Sequence, residues 1–175
     1  MSSDIWNLYF ANLSEYNAGR LVGGWINVID YVNDPDSLTA EIAKVTNGAE
    51  ESAIHDNEGG DLGLGECVNV SAILARAEAI EEHGLEVVRI ALDHIGGSPD
   101  CYDEIRTAIE NGYSGQADSP ADYAEEWHTD CGSLQNVPPT LAYYIDWARV
   151  ANDMGYDGIT FHDSESGGVI VWRDC

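Results

Sequence analysis

Apolar positions along this chain change period twice. Aromatic and β-compatible residues crowd between Ile5 and Ala11 and again between Trp25 and Ile29, with Asn17-Ala-Gly19 and Gly23-Gly24 as punctuation. That pattern predicts strands around a turn. Asp34-Pro-Asp-Ser37 predicts a turn and N-cap, followed by a short helix over 38–45 with Leu38, Ile42 and Val45 on one face. Residues 52–55 predict a third strand that completes a small sheet, and Gly59, Gly60, Gly63 and Gly65 a flexible connection after it. The period then becomes helical. Val70, Ile73, Leu74, Ala77 and Ile80 stripe residues 68–83. Val88, Ala91, Leu92 and Ile95 stripe 85–95, and Ile105, Ala108 and Ile109 stripe 100–111. Three such helices predict a compact bundle.

Beyond Gly112-Tyr-Ser-Gly115, Ser119 as N-cap and Pro120 at N1 predict a helix to Asp130, with Tyr123, Ala124 and Trp127 facing a core. Residues 141–154 predict one more helix, with Leu141, Tyr144, Ile145 and Ala148 inward. Residues 159–162 and 169–172 predict a hairpin around the 164–168 loop. Strands, then helices, then helices with strands make an α+β fold with no βαβ alternation. The expected organisation is three subdomains: a small sheet over 1–62, a helical bundle over 63–111 and an α+β unit over 112–175. Trp6, Trp25, Trp127, Trp147 and Trp172 are the expected aromatic core residues.

Charge changes the picture. The chain has 32 acidic residues against 7 basic and a formal net charge of −25. Lys44 is the single lysine. Self-repulsion of this size disfavours a compact fold, most of all at low salt. Nucleic acid and anionic membrane surfaces are excluded as partners; a basic protein surface fits. No apolar run reaches the roughly 18 residues that a membrane span needs. The first residues lack the basic start of a signal peptide, so a cytoplasmic location is expected.

Chemistry of other kinds finds little support. His55, His83, His94, His128 and His162 form no metal-ligand spacing. Cys67, Cys101, Cys131 and Cys175 form no C-x-x-C pair and read as reduced thiols. No Ser or Cys sits in a nucleophile motif. Residues 56–61 lack the alternating ligands of a calcium loop. The expectation is a non-enzyme with no cofactor and no metal.

The acids themselves are the candidate site, spread over folded elements rather than gathered in a tail. Asp118, Asp122, Glu125, Glu126 and Asp130 lie on the arc opposite Tyr123 and Trp127, and no Lys or Arg stands three or four residues away to pair with them. Glu50, Glu51, Asp56, Glu58, Asp61, Glu81, Glu82, Asp103, Glu104 and Glu110 are the other candidates. Adaptation to a high-salt host would produce such a surface. So would imitation of DNA, which carries one charge per about 1.7 Å of duplex axis. Carboxylates at i and i+4 repeat every roughly 6 Å along a helix. Charge alone supports both readings equally.

Particular motifs separate them. Ser14-Glu-Tyr-Asn-Ala-Gly-Arg-Leu-Val-Gly-Gly-Trp-Ile26 resembles the Y-N-x-G…G-x-W-I start of the ArdA antirestriction proteins. Glu51-Ser-Ala-Ile-His-Asp-Asn-Glu-Gly59 resembles their E-x-A-I-H-D-x-E-G segment, and Glu81-Glu-His-Gly84 fits their first bundle helix. Tyr113-Ser-Gly-Gln-Ala-Asp-Ser-Pro-Ala-Asp-Tyr-Ala-Glu-Glu126 is similar to their Y-x-G…S-x-x-D-Y-A-E-E stretch, and 144–154 to their penultimate helix. Ser52, where an aromatic residue is expected, and Gly59-Gly60, where an apolar residue should follow the glycine, are departures. The resemblance implies an elongated chain of three small subdomains that forms a homodimer through the C-terminal one. It implies imitation of bent B-form DNA in the groove of a type I restriction-modification enzyme, at its methyltransferase core. Phages and mobile elements carry such proteins. Another DNA-binding defence complex, such as a CRISPR effector, remains open as the target.

Overall fold

The computed structural model describes residues 5–96 and 99–174. The chain divides into two compact units, Met1–Ile109 and Glu110–Cys175. The expected boundary near residue 62 falls inside the first unit, and the one near 111 falls beside the division. The fold is α+β, with one small antiparallel sheet in each unit.

In the first unit, β1 (Asn7–Asn12) lies between β2 (Gly23–Asn27) and β3 (Ser52–Glu58), antiparallel to both. Alternation decides its faces. Leu8, Phe10, Ile26 and Ile54 are buried, while Tyr9, Trp25 and Asp56 point the other way. Trp25 is therefore not a core residue; it is 50% exposed. Gly23 permits the tight approach of β2, since a Cβ there would stand 2.2 Å from the Phe10 carbonyl oxygen. The expected turn between the strands contains a short helix, α1 (Leu13–Asn17). Asn12 caps it by accepting from the Glu15 amide at 3.1 Å. After β2 the chain tightens into a 3-10 turn, Val28–Tyr31, instead of extending the strand.

Asp34 caps α2 (Pro35–Val45), as the Asp-Pro-Asp-Ser pattern predicts. Its carboxylate accepts from the Ser37 amide at 3.0 Å and the Ser37 hydroxyl at 2.7 Å. Leu38 and Ile42 turn inward, and Trp6, Leu8, Phe10 and Val28 are buried in the same unit. α3 (Val70–His83), α4 (Leu85–Ile95) and α5 (Tyr102–Gly112) occupy the expected helical stretches. α3 packs on α4, and also on α2 and the 3-10 turn, which joins these helices to the first sheet in one unit.

The sequence pattern missed one core group. Arg76 is completely buried on α3. Its Nε donates to the Leu62 carbonyl at 2.7 Å, and one terminal nitrogen donates to the carbonyls of Ala72 and Pro99, both at 2.8 Å. Burial lowers the guanidinium pKa, and Asp100 and Asp61 oppose that shift. Arg76 thus ties the glycine-rich connection and the segment before α5 to the middle of α3.

In the second unit, β4 (Tyr113–Ala117), β5 (Ile159–Asp163) and β6 (Val169–Arg173) form an antiparallel sheet with β6 central. The hairpin around 164–168 is as expected. β4 is not: its Gly-Tyr-Ser-Gly sequence reads as a breaker, yet its backbone pairs with β6. α6 (Pro120–Asp130) and α8 (Trp147–Met154) pack on each other. Ala124, Ala151, Met154, Ile159, Val169 and Val171 make the core between helices and sheet.

The expected helix over 141–154 is corrected. Only Pro139–Ala142 (α7) and Trp147–Met154 are helical, because Asp146 turns out of the helix and caps α8 by accepting from the Arg149 amide at 3.1 Å. The inward residues shift accordingly. Leu141 and Tyr144 are 59% and 79% exposed, while Ala151 and Met154 are buried.

Candidate functional site: the exposed carboxylates

α6 shows how a carboxylate row is held. The Ser119 hydroxyl accepts from the Asp122 amide at 3.2 Å, and Pro120 begins the helix where no intrahelical amide bond is needed. Ala124 is fully buried, and Tyr123 and Trp127 pack against the same core. Tyr123 meets Phe161 edge-on with ring centroids 5.8 Å apart, and Trp127 meets His128 at 4.9 Å. Rotating the helix would break the Tyr123–Phe161 contact and lift Ala124 and Trp127 off the core. Asp118, Asp122, Glu125, Glu126 and Asp130 therefore stay on the solvent side, all exposed. None of them forms an ion pair among the described residues.

The other candidates are exposed as well. Glu50 and Glu51 precede β3; Asp56 and Glu58 lie two apart on it. Glu58 accepts from the Asn7 amide group at 2.7 Å. Asp61 sits in the glycine-rich connection and accepts from the Gly65 amide at 3.2 Å. Glu81 and Glu82 end α3, Asp103 and Glu104 begin α5, and Glu110 lies in its last turn. Tyr102 donates its hydroxyl to Glu82, and that bond pushes the Tyr102 pKa up to about 12. Asp103 pairs with Arg106 at 3.1 Å, and Glu82 lies 3.9 Å from His83. Glu50 through Glu104 belong to the first unit, and Glu110 with the α6 row to the second.

The chain's few bases do little to neutralise these rows. Arg20 pairs with Glu15 and Lys44 with Glu41. Arg76 is buried on carbonyls, and Arg89 donates to the Gly59 carbonyl at 3.1 Å. Exposed pairs of this kind add at most about 1 kcal/mol each, so stability does not explain the acid load. Asp36, Glu66, Glu78, Asp93, Asp153, Asp157, Asp163 and Glu165 are equally exposed.

The described residues contain no group of three or more His, Cys, Asp or Glu placed to hold a metal ion. Cys67, Cys101 and Cys131 are exposed free thiols; Cys175 lies outside the described residues. No described helix is long and apolar enough to cross a membrane.

A sequence model of the antirestriction protein (ArdA) family matches residues 8–167. The chain belongs to the ArdA family. The match runs from β1 through β5 into the loop before β6, so it takes in the carboxylates of both units. ArdA proteins are antirestriction proteins, inhibitors that act on restriction enzymes rather than enzymes themselves. No curated protein matches the chain significantly.

Proposed function

We propose that this ArdA protein inhibits type I restriction-modification enzymes by imitating DNA in the groove of their methyltransferase core, within the host cytoplasm. The observation that carries the proposal is α6: an aromatic-anchored helix whose four exposed carboxylates, with Asp118 just before its cap, have no cationic partner among the described residues. Asp122, Glu126 and Asp130 succeed one another at four-residue steps, about 6 Å apart along the axis. Target Lys and Arg side chains would meet them in place of phosphates. A fixed row avoids the ordering cost that a flexible polyanion meets on binding. Long-range attraction makes association fast and steeply salt-dependent.

Competition tests the reading. The protein should displace duplex DNA from a type I methyltransferase core, and replacing Asp122, Glu125 and Glu126 together by their amides should weaken that displacement at least tenfold. The same three changes should matter less as salt rises. Simultaneous binding of DNA and protein at saturation would rule out groove occupation. Full inhibition by the triple variant would remove α6 from the contact.

The exposed residues at the end of α7 and in the turn after it support a homodimer formed through the second unit. Leu141, Tyr143 and Tyr144 are 59%, 86% and 79% exposed within four residues, and aromatic side chains of that kind are enriched in interfaces. Replacing both tyrosines with serine should shift sedimentation from dimer to monomer without unfolding the chain. An unchanged dimer would place the seam elsewhere.

A further inference from the structure

The outward face of the first sheet carries aromatic side chains that the carboxylate rows do not explain. Tyr9 on β1 and Trp25 on β2 are paired across the strands, and their rings meet edge-on with centroids 5.4 Å apart. On the other side of β1 the register slips. Tyr9 stands opposite Asp56 and Phe10 opposite Ile54, so His55 is an extra residue in β3. Such a bulge interrupts the alternation of the strand. Here it brings two consecutive side chains, His55 and Asp56, to the same hollow. Tyr16 of α1 stacks edge-on against His55 at 4.5 Å. Tyr9, Leu21, Trp25, His55 and Asp56 line a hollow of about 320 Å³.

Its walls are aromatic apart from Leu21, and it carries the Asp56 carboxylate. Arg20, next to Leu21 in the chain, is held by Glu15 and does not line the hollow. With a net charge of −25 around it, the hollow complements a cation with a flat face. We propose that it receives an arginine side chain of a basic protein partner, the guanidinium lying on Trp25 and its N–H fork reaching Asp56. Arginine satisfies both demands: it stacks on aromatic rings and offers paired donors to a carboxylate, whereas lysine is a compact, strongly hydrated charge. The inference deepens the reading of this chain as a ligand for basic grooves, because it adds a contact that selects among cations and that salt screens less than the exposed rows.

Binding of octa-arginine and octa-lysine peptides, equal in charge, separates this contact from general polyanion behaviour. The native protein should bind octa-arginine more tightly, by roughly fivefold given the usual strength of a cation–π contact. Trp25→Ala should bring the two affinities to within about twofold of each other, and Asp56→Asn should weaken octa-arginine more than octa-lysine. Trp25 is half exposed, so the variant should keep its fold by circular dichroism; Trp25→Phe, which retains a ring, should keep part of the preference. Equal affinities in the native protein, or a preference that survives Trp25→Ala in a folded variant, would overturn the proposal. Loss of self-association in Trp25→Ala with no change in peptide preference would assign the face to a second copy instead. A failure to compete with DNA for the methyltransferase core would count against groove occupation and leave the peptide result standing.

Discussion

The two sheets have the same number of strands and the same antiparallel pairing, yet they present different surfaces. In the first, the end that carries Tyr9, Trp25 and Asp56 buries one face only, although Phe10 to Asn12, at the other end of β1, are buried in succession. In the second, four consecutive residues of β6, Val169 to Trp172, are all buried, so both faces of its central strand are covered. The first sheet can therefore offer a flat, rigid contact surface. The second does so less, and its unit exposes Tyr143 and Tyr144 just after α7, Tyr156 before β5 and Tyr113 at the start of β4. A small sheet becomes a surface or a core depending on whether its second face is covered, and the run of burial along the middle strand decides which.

The units also differ in what fixes their interiors, and the largest effects follow from that. Arg76→Met should leave the carbonyls of Leu62 and Pro99 without this donor, while the Ala72 carbonyl keeps the helical amide of residue 76. At about 1–3 kcal/mol for each buried orphan, partly recovered by relaxation, the first unit should lose about 3 kcal/mol. Hydrogen exchange should report faster opening in β1, β3 and α3 and little change in β5 and β6. Equal acceleration in both units would show that they unfold as one. In the second unit the corresponding point is Gly112, where a Cβ would stand 2.2 Å from the buried Trp172 ring. Gly112→Ala should cost about 1–3 kcal/mol by overpacking and should loosen β4 and β6 selectively.

Smaller effects sharpen the contrast. Leu141→Ser should change chemical-denaturation stability by no more than about 0.5 kcal/mol under conditions that keep the chain monomeric. A buried leucine on a continuous helix would cost about 2–5 kcal/mol when truncated, so a loss of that size would restore the unbroken 141–154 helix. The smallest effect is the pH response of the α2 cap. Hydrogen bonds from the Ser37 hydroxyl and amide hold the Asp34 carboxyl below its usual range. Its contribution is present above the unfolded value and is lost as pH falls through the depressed folded one. Asp34→Asn, which caps without titrating, should flatten that part of the acid limb in a pH series of thermal unfolding.

Much of this was legible in the sequence for physical reasons. Strong caps such as Asp34 and Ser119 have one local role, and the helical stripes of α3 and α4 bury one side under any tertiary arrangement. β4 was not legible, because Tyr113-Ser-Gly-Gln carries breaker residues and owes its extended form to pairing with β6. Arg76 was hidden for a similar reason: its partners are carbonyls brought from positions 62 and 99, and no local pattern marks them. The break before α8 was written in Asp146, but the apolar run on either side outweighed it. The acid row on α6 was read directly from spacing. The outward position of Trp25 was misread as core, although Ile26 beside it points inward and neighbours on a strand alternate.

Strand order carries one more consequence, for synthesis. The central strand of the first sheet, β1, is made before its two partners, whereas β6, at the centre of the second, is made after every other strand. Domains fold as units while the chain is still emerging from the ribosome. The first sheet is complete once β3 has appeared, but β4 and β5 must wait without a template until β6 follows. A nascent chain halted in the 164–168 loop would already display the aromatic hollow, yet would lack the support that fixes the α6 row. The newborn protein thus acquires its two kinds of contact one after the other, with the charge row completed last.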